Sequence, residues 1–183
     1  MIQTIYYAFL GNTPEEWQRE LVEDAVTEYT RYANVDLIDA SDDKTKPADI
    51  RISFVREDGA WSAIGTDALK IVKEATMNLG FLTTKPNENN HDQIYNLVLH
   101  QFGHALGLAH EWDPDWAKLK SDSGKPRAFL QHTAAYRDER TSNFRTPDTD
   151  SIMKCVRYLS ESSFLIMSIG SSSLKIAQRM GTP

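Results

Sequence analysis

The chain has 183 residues, 40% of them hydrophobic and 25% charged, which is enough for one globular domain with a core that needs no disulfide support. Its formal net charge of −6 argues against nucleic acids and anionic membrane surfaces as main partners. The single cysteine, Cys155, excludes an internal disulfide and gives no indication of an oxidising compartment.

The N-terminus shows no signal peptide, because IQTIYYAFL follows Met1 without a basic region or a sustained apolar run. The apolar run at residues 164–169 is too short to span a bilayer. We therefore expect an intracellular protein, or a secreted one whose sequence here begins after a leader. Localisation and oligomeric state stay open.

The chain begins with a predicted strand and a predicted helix. Residues 4–10, TIYYAFL, are rich in β-branched and aromatic side chains, as strands are. GNTPEEW then predicts a helix start, with Thr13 as N-cap, Pro14 at the first helical position and Glu16 completing a capping box. Apolar residues at helical spacing extend this helix to about Ala33.

Three further strands and a second helix follow. Residues 48–55 alternate apolar and polar side chains, the Asp58–Gly59 turn leads to a short strand at 60–65, and residues 75–82 predict another strand. A polar loop leads to a helix that begins near residues 90–92. Its predicted apolar face comprises Ile94, Leu97, Val98, Phe102 and Ala105.

Beyond residue 111 the pattern becomes irregular. It allows a helix at residues 126–136 and predicts a short terminal helix from residue 172 or 173. No repeat or linker divides the chain, so we expect a single domain over residues 1–183. The order of elements predicts an α+β or α/β class.

HQFGHALGLAHE, residues 100–111, holds three of the five histidines. On a helix, His100 and His104 lie one turn apart on one face, close enough to bind one Zn²⁺. Gly107 can leave the helix with a positive φ and bring His110 back as a third ligand. Three imidazoles with an open position describe a catalytic zinc site, because structural sites have four protein ligands. The alternative is three neighbouring histidines without a common ligand.

This segment resembles the metzincin signature of zinc peptidases, H-E-x-x-H-x-x-G-x-x-H, in every specified position except the second. DSIM, residues 150–153, resembles the Met-turn, in which Met153 would lie beneath the metal. Glu111 after the third histidine resembles the astacin branch, as does the region ADIRISF…GAWSAIGTDA…TMNLGF. The resemblance covers roughly residues 3–153.

The resemblance implies an α+β metzincin (zincin-like) fold. An upper lobe of about residues 1–107 would hold a twisted mixed β-sheet and two long helices, and an irregular lower lobe of about 108–183 would end in a short helix. It also implies Zn²⁺ as cofactor and a peptide or protein substrate in the cleft between the lobes. Trp61 and Ile64 would belong to an edge strand that pairs with substrate, although both also suit an ordinary strand.

Gln101 stands where the family has the glutamate that takes a proton from the attacking water and delivers it to the leaving amine. An amide cannot act as a base near neutral pH, so we expect peptide hydrolysis to be reduced to a trace or absent. Metal binding should survive, because residue 101 is not a ligand. Cys155 occupies the position of a family tyrosine, as an extra zinc ligand or as an inert buried thiol, and Tyr158 cannot be assigned that role.

Three accounts of Gln101 remain open. It is an engineered change in an active metalloendopeptidase, or a natural residue of a pseudoenzyme that binds peptides. In the third account, the zinc serves as a Lewis acid for a non-hydrolytic reaction on a small-molecule metabolite.

Overall fold

The computed structural model describes residues 2–43, 45–109 and 151–153. These residues form a five-stranded sheet and two long helices. The strands are β1 (Gln3–Phe9), β2 (Val35–Asp39), β3 (Ile50–Ser53), β4 (Ala60–Ser62) and β5 (Met77–Leu79), and the helices are α1 (Glu16–Tyr32) and α2 (His91–Ala105). No helix within the described ranges has the length and apolar character needed to cross a bilayer.

The sheet is mixed, with strand order β2-β1-β3-β5-β4. The pairs among β2, β1, β3 and β5 are parallel, and β4 alone runs antiparallel, at one edge beside β5. Trp61 of β4 lies opposite Asn78 of β5 in this register. The mixed sheet with two long helices confirms the predicted α+β class.

The core lies where the two helices and the sheet meet. Leu21, Val22 and Tyr29 of α1 are buried in it together with the inward side chains of β3 and β5. The predicted apolar face of α2 is confirmed. Leu97, Val98 and Phe102 are buried, and Ile94 and Ala105 pack partly buried against the same core.

The predicted start of α1 is wrong in detail. Its N-cap is Glu15 rather than Thr13, and the backbone N–H of Glu15 donates to Oε1 of Gln18 at 2.7 Å. Glu16 therefore does not complete the capping box. Nε2 of Gln18 also donates to the Leu82 carbonyl at 2.6 Å, a tertiary contact that favours Gln18 at this position of the helix start.

Three strands differ from the prediction. β4 ends at Ser62 rather than at residue 65. β2 was not predicted, because the apolar Ile38 directly follows Leu37 and interrupts the alternation of apolar and polar residue types. Burial itself does alternate along the strand, with Leu37 buried and Ile38 exposed. β5 ends at Leu79 rather than at residue 82, because Gly80 begins a 3₁₀ turn. The Gly80 N–H donates to the Gly59 carbonyl at 2.9 Å, and a Cβ at residue 80 would lie only 2.6 Å from that oxygen.

Asn78, completely buried on β5, fixes the turn that leads into the edge strand β4. Its Oδ1 accepts from Oγ of Ser53 at 2.7 Å and from the Val55 N–H at 2.9 Å. Its Nδ2 donates to the carbonyls of Val55 at 2.8 Å and Gly59 at 2.6 Å. These four bonds use the full capacity of the amide, so the position of β4 is set from inside the sheet.

The lower lobe predicted for residues 108–183 lies outside the described residues, except for residues 108–109 and 151–153. The helix allowed at residues 126–136 and the predicted terminal helix also lie outside them.

Candidate metal centre

Helix α2 places His100, Gln101 and His104 in the interior of the molecule. Their exposed fractions are 1%, 2% and 6%. The two imidazole rings lie one helical turn apart, as predicted, with centroids separated by 4.6 Å and planes at 86°. The helix therefore brings both side chains to one buried location.

Each imidazole is oriented by a backbone carbonyl. Nδ1 of His100 lies 2.7 Å from the Ile152 oxygen, and Nδ1 of His104 lies 2.8 Å from the Leu108 oxygen. A carbonyl oxygen can only accept, so each Nδ1 carries the proton. In a neutral ring, the lone pair is then on Nε2.

Burial keeps both rings neutral at neutral pH. Burial and, to a smaller extent, the neighbouring His104 lower the pKa of His100 to about 4, against the opposing effect of the Ile152 carbonyl. Burial also lowers the pKa of His104, against the Leu108 carbonyl. A histidine binds metal as the neutral imidazole, and ligating histidines commonly donate their other N–H to a carbonyl or carboxylate. The pair therefore fits a metal bound through Nε2.

The end of α2 has the geometry predicted for a turn toward a third ligand. Gly107 has a φ of 96°, its N–H donates to the His104 carbonyl at 2.8 Å, and the Leu108 N–H donates to the Gly103 carbonyl at 2.9 Å. These two bonds form a Schellman motif. The motif places the Leu108 carbonyl at Nδ1 of His104, so the turn that ends the helix also orients an imidazole.

The predicted third ligand His110, the supporting residue Glu111 and the possible extra ligand Cys155 lie outside the described residues. Within residues 2–43, 45–109 and 151–153, no group of three or more His, Cys, Asp or Glu side chains is placed to hold a metal ion. The third ligand therefore stays a prediction from the sequence.

The segment 151–153 packs against α2 at the histidines. Met153 is buried, and its side chain lies against the backbone of Gly103, between the two histidines in sequence. The preceding residue, Ile152, supplies the carbonyl that orients His100. The described part of the predicted Met-turn therefore lies beside the histidine pair.

Gln101 carries a buried oxygen for which the described residues provide no hydrogen-bond partner. Among the described residues, its Oε1 is the one buried side-chain oxygen or nitrogen without a hydrogen bond. Leaving a buried acceptor unpaired costs about 1–3 kcal/mol, and native proteins rarely do so without a water, an ion or a ligand to complete the bond. Within the described part of the chain, this oxygen is therefore an acceptor still available to a donor.

The two residues predicted to contact substrate lie at the antiparallel edge of the sheet. Trp61 is 36% exposed on β4, and Ile64 is half-buried between β4 and the 3₁₀ turn Gly65–Lys70. This segment approaches the end of α2, because a Cβ at Gly65 would lie 3.2 Å from Cα of Gly107. Their contact with substrate stays a prediction.

Sequence reasoning missed three contributors to the site. The carbonyls of Ile152 and Leu108 could not be predicted from the sequence, because every residue has a backbone carbonyl. Gly103 could have been found from the sequence, because a glycine in a helix interior is destabilising and therefore indicates a packing requirement.

Known proteins resemble this chain over most of its length. The family model described as Astacin, a peptidase family, matches residues 2–182. A comparison with curated proteins gave no significant match. Among solved structures, "Structure of myroilysin" aligns with a TM-score of 0.63 and 25% identity, covering 96% of this chain and 91% of that one. "Crystal structure of myroilysin" aligns with a TM-score of 0.57 and 27% identity, covering 83% of this chain and 69% of that one.

These matches agree with the sequence and the geometry. The sheet and helices have the predicted metzincin fold, shared with myroilysin. The family match extends over nearly the whole chain, including the histidine segment of α2. The chain therefore belongs to the astacin family of metallopeptidases.

Proposed function

We propose that this chain is a zinc-binding astacin-type peptidase domain in which His100, His104 and His110 hold the metal and Gln101 occupies the general-base position. The observation that carries the proposal is the pair of buried, neutral imidazoles, each with Nδ1 held by a backbone carbonyl. The astacin family is zinc-dependent, and three histidines with an open position match a catalytic site. Bound Zn²⁺ would supply a Lewis acid that polarises the scissile carbonyl and acidifies water.

Gln101 limits what the domain does with a bound peptide. Its amide can orient a water molecule or a substrate N–H by hydrogen bonding. Oε1, which has no partner in the part of the chain that the structure describes, is an acceptor for that bond. It cannot take a proton from water or deliver one to the leaving amine. Positioned acid–base catalysis contributes about 10²–10⁴-fold to a rate, so we infer that the chain binds peptides and cleaves them at a trace rate or not at all.

The edge strand supports a peptide as the ligand. β4 lies at the antiparallel edge of the sheet, and Asn78 fixes the turn that precedes it. An extended peptide can add to such an edge through backbone hydrogen bonds. We propose that Trp61 and Ile64 contact the peptide there.

The test is to restore the glutamate. With zinc present, Gln101→Glu should cleave an unfolded protein or a peptide library about 10²–10⁴-fold faster than the unmodified chain, because the carboxylate supplies the missing base. Cleavage is measured by mass spectrometry of the products. The double variant Gln101→Glu/His104→Ala is the matched control, since it carries the base and loses a ligand, and it should cleave nothing. A zinc-loaded Gln101→Glu chain without cleavage would contradict the peptidase assignment.

A further inference from the structure

Gly103 lies inside α2, three residues after His100 and one before His104. Glycine loses more conformational entropy on folding than any other residue, which makes it unfavourable in a helix interior. Its presence here therefore requires an explanation from the packing.

Two elements fill the space that a side chain at residue 103 would occupy. An ideal Cβ would lie 2.8 Å from Oη of Tyr29 on α1 and 3.3 Å from Cε of Met153, and closer still to Sδ of Met153. Both neighbours are buried. We call this space the Gly103 notch, with Tyr29 and Met153 as its two walls.

The Tyr29 wall fixes α2 against α1. Oη of Tyr29 donates to the Leu99 carbonyl at 2.8 Å. In an α-helix the same carbonyl accepts from the N–H four residues on, which belongs to Gly103. The hydroxyl reaches a carbonyl inside the helix because no Cβ at residue 103 blocks its approach.

The Met153 wall lies next to the carbonyl that orients His100. The Ile152 carbonyl, immediately before Met153, lies 2.7 Å from Nδ1 of His100. The Met153 side chain in the Gly103 notch holds the backbone of residues 151–153 against the helix. The carbonyl therefore reaches the imidazole from a position that the notch defines.

We propose that Gly103 is a positioning residue for His100, because the open Gly103 notch admits Met153 and thereby holds the Ile152 carbonyl at Nδ1. The inference rests on the proposed function, in which His100 is a metal ligand. A methyl group at residue 103 would displace the thioether and the carbonyl behind it. The ring would then lose the bond that sets its tautomer and orientation.

The experiment is a double-mutant cycle on the full chain, with zinc affinity measured by competition with a chromophoric chelator. Gly103→Ala should weaken zinc binding about tenfold or more, the range seen when the partner of a ligating histidine is lost. The absorption bands of the Co²⁺-substituted chain should shift with it. Gly103→Ala/Met153→Ala should bind no more weakly than Met153→Ala alone, because the methyl group then meets no thioether. If the losses of zinc affinity from Gly103→Ala and Met153→Ala were additive in the double variant, the coupling between these two residues would be overturned.

Tyr29→Phe is the matched control for the other wall. Gly103→Ala/Tyr29→Phe should bind zinc as weakly as Gly103→Ala. If Gly103→Ala/Tyr29→Phe recovered the zinc affinity of the unmodified chain, the effect would come from the contact between α1 and α2, and the role of Met153 would be overturned. A Gly103→Ala chain with unchanged zinc affinity and Co²⁺ spectrum but a lower melting temperature would overturn the proposal as well.

Nuclear magnetic resonance of the chelator-treated chain separates this inference from the proposed function. The Nδ1–H proton of His100 should exchange with solvent measurably faster in Gly103→Ala than in the unmodified chain, whether or not zinc binds. An unmodified chain that binds no zinc contradicts the proposed function. Unchanged exchange in Gly103→Ala contradicts the role of Gly103.

Discussion

Asn78 on β5 and Gln101 on α2 carry the same amide group and are both buried, but their surroundings differ. The Asn78 amide makes four hydrogen bonds and uses all its donors and acceptors. Oε1 of Gln101, in contrast, has no partner among the described residues. The first amide lies inside the sheet, and the second lies between two histidines on a helix.

The difference separates a structural role from a functional one. The Asn78 amide has a partner for every donor and acceptor, and it stabilises the turn that it contacts. A buried acceptor without a partner lowers stability unless a water, an ion or a bound molecule completes the bond, so Gln101 is the amide for which a functional role is proposed. Burial and residue type alone would not distinguish Asn78 from Gln101.

Replacing Asn78 should have the largest effect on stability. Asn78→Leu keeps the approximate volume but leaves the Val55 N–H, the Ser53 hydroxyl and two carbonyls without their amide partner. We expect the free energy of unfolding to fall by about 3–5 kcal/mol, since each buried group left unpaired costs about 1–3 kcal/mol. Urea denaturation followed by circular dichroism measures it.

Asn89→Leu is the matched control, because Asn89 is an exposed residue of the same type in the loop before α2. Its effect should stay within about 0.5 kcal/mol. A loss at Asn78 no larger than this would show that the four bonds do not stabilise the turn, and the contrast with Gln101 would disappear.

Replacing Gln101 should have a smaller effect of opposite sign. Gln101→Met keeps the side-chain length and removes an acceptor that the described residues leave without a partner. The chelator-treated chain should therefore gain about 1 kcal/mol in free energy of unfolding. The same denaturation measurement applies. A loss of more than about 1 kcal/mol would mean that the Gln101 amide is fully bonded in the free chain, like that of Asn78.

The sequence predicted those parts of the fold that rest on periodicity. α2 began within the predicted residues and buried the predicted face, because five apolar side chains recur at helical spacing. β2 and the cap of α1 were not predicted correctly. The cap depends on a bond between Gln18 and Leu82, 64 residues apart, which no local pattern contains.

The candidate metal site was also predictable only in part, where it depends on residue spacing along a helix. Spacing along α2 placed His100 and His104 together, and Gly107 has the positive φ expected of it. The carbonyls that orient the rings were not predictable, because they come from the backbone of distant or turn residues. That Oε1 of Gln101 has no partner among the residues with a described structure could be identified only from three-dimensional packing. His110, Glu111 and Cys155 stay predictions.

Zinc content tests the central claim most directly. Purified without chelator, the unmodified chain and Gln101→Glu should each contain one zinc per chain by inductively coupled plasma mass spectrometry, because residue 101 is not a ligand and three-histidine sites retain zinc. His104→Ala should lose it. Less than about half an equivalent of zinc in the unmodified chain, or full retention in His104→Ala, would contradict a zinc site built on these histidines.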